Sequence, residues 1–118
     1  MIFTNDLHHY RIFIQPGPTD MRKSIVTLSV LVKENMGMNP FSERLFIFCG
    51  KSKKQIKVLY WDKTGFCLWQ KKLAKDRFPW PANSSEAVEL KKQQLQWLLT
   101  GIDFFKPHQE IKFTRQAI

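Results

Sequence analysis

QIKVLYWDKTGFCLWQKKL, running from Gln55 to Leu73, is the stretch whose reading decides the fold. Gln55 to Trp61 is dense in β-branched and aromatic residues and predicts a strand. Asp62-Lys63-Thr64-Gly65 is a four-residue turn with a glycine available for a left-handed conformation, and Phe66 to Leu73 returns as a second strand. Antiparallel pairing across this turn sets Trp61 opposite Phe66, Leu59 opposite Leu68 and Val58 opposite Trp69. Ile56, Val58 and Tyr60 then share one face with Cys67 and Trp69, while Leu59, Trp61, Phe66 and Leu68 share the other. A sheet wetted on one side needs only one apolar face. Both faces of this hairpin must therefore be covered, by a helix, by a second sheet layer or by another protein.

The flanking sequence supplies candidates for the cover. Upstream, Tyr10 to Gln15 reads as a strand that Pro16-Gly17-Pro18 ends, and Arg44 to Cys49 reads as another. Between them Ile25, Leu28, Leu31 and Val32 mark one face of a helix expected over Thr19 to Met36. Thr19 and Asp20 are placed to accept from its first N–H groups, and Gly37 to close it. Downstream, two prolines keep Arg77-Phe78-Pro79-Trp80-Pro81 extended, and Asn83-Ser84-Ser85 is a loop. Ala87 to Leu90 fits either a short strand or the start of a helix. Leu95, Leu98, Leu99 and Ile102 recur at helical spacing and predict a helix over Lys92 to Thr100, with Gly101 at its end. The expectation is an α+β fold: a single compact domain with a mainly antiparallel, twisted sheet of four to six strands and two helices. The first helix is expected on one face, the second on the other face or against an edge. Residues 1–9 form a polar N-terminal segment, 10–104 the domain and 105–118 a C-terminal tail.

Composition narrows the function. The 118 residues carry 19 Lys+Arg against 10 Asp+Glu, a formal charge of +9, with 43% hydrophobic and 14% aromatic residues. A chain of this length buries roughly two-thirds of its unfolded surface, enough for one core. Five glycines, six prolines and two cysteines disfavour a disordered tail or a disulfide-stapled miniprotein. Cys49 and Cys67 lack Cys-x-x-Cys spacing and read as small buried hydrophobes. Met1 to Tyr10 has no basic start followed by an apolar run, and no stretch approaches about 18 apolar residues, so a cytoplasmic location without membrane contact is expected. The charge excess points to a polyanionic partner.

That excess is concentrated. Lys51, Lys53, Lys54, Lys57, Lys63, Lys71, Lys72, Lys75 and Arg77 face only Asp62 and Asp76 between positions 51 and 77, a local charge of +7. Interleaved are Tyr60, Trp61, Phe66, Trp69, Phe78 and Trp80, and a basic groove with aromatic platforms is one way to hold phosphates and stack unpaired bases. The plainer reading is solvated lysines over core aromatics. Arg22 and Lys23, at a strand-to-helix junction, are a possible phosphate site, although Asp20 there satisfies the same N–H groups. Trp61, Phe66 and Leu68, left uncovered, would mark a partner interface or a homo-oligomer contact. Catalysis finds little support. Asp20, Asp62 and Asp103 have simpler roles as cap or turn residues, and His8, His9 and His108 lie near the ends. No nucleophile triad, phosphate loop or zinc spacing occurs. No catalytic residue, metal or other cofactor is implied.

Several ordered blocks carry a more specific signal. They are Gly17-Pro18-Thr19-Asp20-Met21-Arg22-Lys23-Ser24, Asn39-Pro40-Phe41-Ser42, Leu45-Phe46-Ile47-Phe48, Ile56-Lys57-Val58-Leu59-Tyr60-Trp61-Asp62, Gly65-Phe66, Leu68-Trp69 and Arg77-Phe78-Pro79-Trp80-Pro81. Gln94-Leu95, Trp97-Leu98-Leu99 and Gly101-Ile102-Asp103 complete the set. Together they resemble the small TnpB-type accessory protein, the second-reading-frame product, of bacterial insertion sequences of the sixty-six class, over roughly Tyr10 to Phe104. Phe104 stands where that pattern has Trp. The resemblance implies a non-catalytic accessory role in DNA transposition beside a separate transposase, and it brings no active site. The charge then predicts binding to DNA at the element ends through the lysine-rich hairpin region. The competing expectation is an adaptor that contacts the transposase, or itself, through an apolar sheet face.

Overall fold

The computed structural model describes residues 8–82 and 86–101. Asn83-Ser84-Ser85, Ile102, Asp103, Phe104, His108 and the tail expected from 105 lie outside them. The elements in chain order are β1 (Arg11–Pro18), α1 (Ile25–Glu34), β2 (Arg44–Cys49), β3 (Gln55–Asp62), β4 (Gly65–Lys72), β5 (Val88–Leu90) and α2 (Lys92–Thr100). The strands make one sheet in the order β4-β3-β2-β1-β5. Every pairing is antiparallel except that of β1 with β2, which α1 connects as a crossover. This is the α+β arrangement read from the sequence.

The hairpin register is as expected: Trp61 pairs with Phe66, Leu59 with Leu68 and Val58 with Trp69. Its two apolar faces find their covers within the chain. On one face Phe13, Phe46, Phe48 and Leu59 pack with Leu28, Val32 and Met36, so α1 and the residues after it form the lid. On the other, Ile12, Ile14, Leu45, Ile47, Ile56 and Val58 pack with Leu95, Leu98 and Leu99 of α2 and with Phe78 and Trp80. β1 to β3 are thus buried on both sides, which is why they read as nearly continuous apolar runs.

β1 and α1 depart from the sequence reading, and the open alternative at Ala87 to Leu90 is resolved, each for a physical reason. β1 runs on to Pro18 because the register slips between Ile14 and Pro18, and such an irregularity accommodates prolines that a regular ladder excludes. Gly17, at φ +80°, makes this bend, and its N–H donates to the Pro81 carbonyl at 2.9 Å. α1 starts at Ile25 rather than Thr19. The Thr19 N–H donates to the Cys49 carbonyl at 2.8 Å, and the Asp20 carboxylate accepts from the Arg22 N–H at 2.9 Å, so both are spent before the helix begins. Val88–Leu90 is a strand, paired with Ile12 to Ile14. The Trp80 indole N–H donates to the carbonyls of Gln15 (3.2 Å) and Gly17 (3.1 Å), fastening the proline-rich segment across the end of β1.

Candidate nucleic-acid interface

The hairpin lysines are sorted by the strands that carry them. The turn from Gly50 to Gln55 is closed by Gly50 N–H to the Gln55 carbonyl (3.0 Å) and Lys53 N–H to the Gly50 carbonyl (3.0 Å). Lys53 takes φ +63° there. The chain leaving β4 is hooked onto this turn, since the Leu73 N–H donates to the Lys54 carbonyl and the Phe78 N–H to the Lys53 carbonyl, both at 2.7 Å. Lys51, Lys53, Lys54, Lys72, Lys75 and Arg77 are thereby gathered at one end of the sheet, with Asp76 among them. All six reach solvent, and none forms an ion pair with a described residue.

Three of the nine predicted contacts stand apart from this cluster. Lys57 lies on the α1 face, is 8% exposed and donates its ammonium to the Lys23 carbonyl at 3.1 Å. It ties the loop before α1 to β3 and is not presented to a ligand. Lys71 lies on the opposite face, half-buried, and donates to the Leu99 carbonyl at 3.2 Å. That oxygen belongs to the last turn of α2, where carbonyls lack helical partners and a cation is favoured. Lys63 is exposed in the β3–β4 turn. It sits at the far end of an eight-residue strand, about 25 Å from the cluster at ~3.3 Å per residue.

Other candidates also resolve. The Arg22 guanidinium is bound to Asp20 by contacts of 2.8 to 3.2 Å, which hold the Asp20 carboxyl well below its ordinary range. Arg22 is therefore paired with that carboxylate, and half-buried Lys23 gives its backbone carbonyl to Lys57. Base stacking beside the cluster is corrected as well, because Phe78 (1% exposed) and Trp80 (6%) are core. Asp20 and Asp62 sit at opposite ends of β3 and cannot share a metal ion. Among the described residues no three His, Cys, Asp or Glu side chains come together as a metal site.

Two depressions flank the lysine turn. One, about 610 Å³, opens between Thr19-Asp20-Met21 and the turn and is lined by Lys51, Lys54 and Lys72. A smaller one, about 90 Å³, lies on the other side between Gly17-Pro18, Lys53 and Trp80. At the far end of the sheet, Trp61 and Phe66 meet edge-to-face at 5.0 Å between ring centroids. Phe41 joins them at 5.0 and 5.1 Å and remains 56% exposed. Leu68, the third residue expected there, is partly buried and, like Phe66, packs against the cluster under α1. Phe41 was missed by sequence reasoning; the available signal was a large apolar residue in a turn, Asn39-Pro40-Phe41-Ser42.

The structure is thus a mixed sheet between helices, with an acid-poor cationic end and an aromatic corner opposite. The chain belongs to the family described as IS66 Orf2 like protein, whose model matches residues 10–109. It is 37% identical over 105 residues to the uncharacterized protein y4hO of Sinorhizobium fredii, covering 89% of this chain and 91% of that one. It is 27% identical over 94 residues to the uncharacterized protein y4jC of the same organism, covering 80% of each. No solved structure matches the chain. Membership suggests an accessory role in transposition, alongside a transposase. No helix among the described residues is long and apolar enough to cross a membrane.

Proposed function

We propose that this protein is a non-catalytic accessory of insertion-sequence transposition that acts in the cytoplasm and binds DNA of the element ends. Its working domain spans residues 10–104, and the contact surface is the cationic end of the sheet. The observation that carries this reading is the gathering of Lys51, Lys53, Lys54, Lys72, Lys75 and Arg77 with no ion pair to any described residue. Unpaired cations release counterions from DNA when they meet phosphates. Five or six such contacts give a slope of about −5 in log K against log salt. Fluorescence anisotropy at about 50 mM salt tests this, and absence of binding to both duplex and single-stranded DNA sinks it.

The aromatic corner favours a second reading, docking on the transposase or on a second copy of this chain. Three rings within about 5 Å of one another, one of them over half exposed, resemble the aromatic anchors of protein interfaces. Trp61→Lys is expected to abolish co-purification with the cognate transposase while leaving a folded protein. Unchanged co-purification counts against this second reading.

A further inference from the structure

The larger depression at the basic end has the wrong shape for a duplex and the right one for the end of a strand. Its volume of about 610 Å³ corresponds to a space about 8 Å on a side, within the range of small-ligand sites. The major groove of DNA alone is about 12 Å wide, so a duplex lies across such a mouth and does not enter. Lys51, Lys54 and Lys72 line the space, joined by Ser52. The carboxylate at its rim, Asp20, is already neutralised by Arg22. No aromatic side chain lines it, so nothing there grips a base by stacking.

An internal phosphodiester carries one negative charge. A terminal phosphate monoester carries about −1.5 to −2 at neutral pH and offers three strong acceptor oxygens. Three lysines lining one concave space, each ammonium with three donors, match the monoester better than the diester. Resting on the DNA-binding reading above, the geometry points to a site for the terminal phosphate of a DNA strand, held without regard to the base that follows.

The test is anisotropy of the full-length chain with short duplexes of one sequence bearing hydroxyl, 5′-phosphate or 3′-phosphate ends. A phosphorylated end should bind about tenfold more tightly, the worth of one additional charge-assisted hydrogen bond. The double variant Lys54→Ala/Lys72→Ala should lose that preference yet retain weak binding of the hydroxyl-ended probe through the remaining cations; both side chains are exposed, and circular dichroism verifies folding. Lys63→Ala should leave the preference intact. Equal affinity for all three probes overturns this inference and leaves the DNA-binding reading standing. Binding of none overturns both. Displacement of the phosphorylated probe by inorganic phosphate at equal concentration assigns the space to the free anion and overturns strand-end recognition.

Discussion

Gly50 lacks a side chain where one would collide: a Cβ there falls 2.7 Å from Cγ of Met21, in the wall of the larger depression. Gly50→Ala is expected to displace Met21 and cost about 1–3 kcal/mol, read as a lower denaturant midpoint. Gly65→Ala is the control, because a Cβ at that glycine meets nothing within 4 Å, and it should change stability by no more than about 0.5 kcal/mol. Cys49 makes a second test at this scale. Burial pushes its thiol up to about 12, so at neutral pH it stays protonated in the folded chain. It should resist alkylation until denaturant is added; rapid labelling of Cys49 in the native protein would contradict its placement. Its burial was legible in the apolar run that contains it. The fates of Lys57 and Lys71 were not, because a lysine in a cationic stretch looks the same whether its ammonium meets water or a carbonyl oxygen. Only the facing element, the loop before α1 or the end of α2, decides that.

At the scale of elements, local pairings were readable and distant ones were not. The β3–β4 register follows from a short turn and side-chain alternation, and it emerged residue for residue. The parallel pairing of β1 with β2 depends on where α1 returns the chain, and the three residues of β5 are too few to carry a periodicity. An ion pair adds to the ladder that joins β5 to β1: Arg11 on β1 donates to both carboxylate oxygens of Glu89 at 2.8 Å. These hydrogen bonds hold the Glu89 carboxyl below its ordinary 4.5, so the folded chain takes up this proton less readily than the unfolded one. The resulting stabilisation is full above about pH 4.5 and fades as pH falls through the lowered folded value. Wild type should therefore exceed Glu89→Gln in stability near neutrality, with the gap closing in acid. A gap independent of pH would remove the ion pair as its cause. The effect is small, since both side chains are about half exposed.

Across the whole molecule, the sheet keeps two surfaces apart that the sequence interleaves. The cationic residues and the hairpin aromatics alternate between positions 51 and 80, which invited a single groove with stacking platforms. Folding sends Phe78 and Trp80 into the core, places Trp61 and Phe66 at the β3–β4 turn, and gathers six cations about 25 Å away at the β2–β3 turn. Sites that far apart with no shared partners behave independently when one is altered. Charge reversal at Lys53 and Lys75 should then weaken DNA binding and flatten its salt slope by about two, one for each lost phosphate contact, without changing co-purification with transposase. Phe41→Lys, at the exposed ring of the corner, should do the opposite: partner capture falls while DNA affinity and its salt slope stay as in wild type. Running both variants through both assays makes the separation measurable. If either change damages both activities in protein that remains folded, the two ends serve one continuous interface and the division of labour between them is wrong.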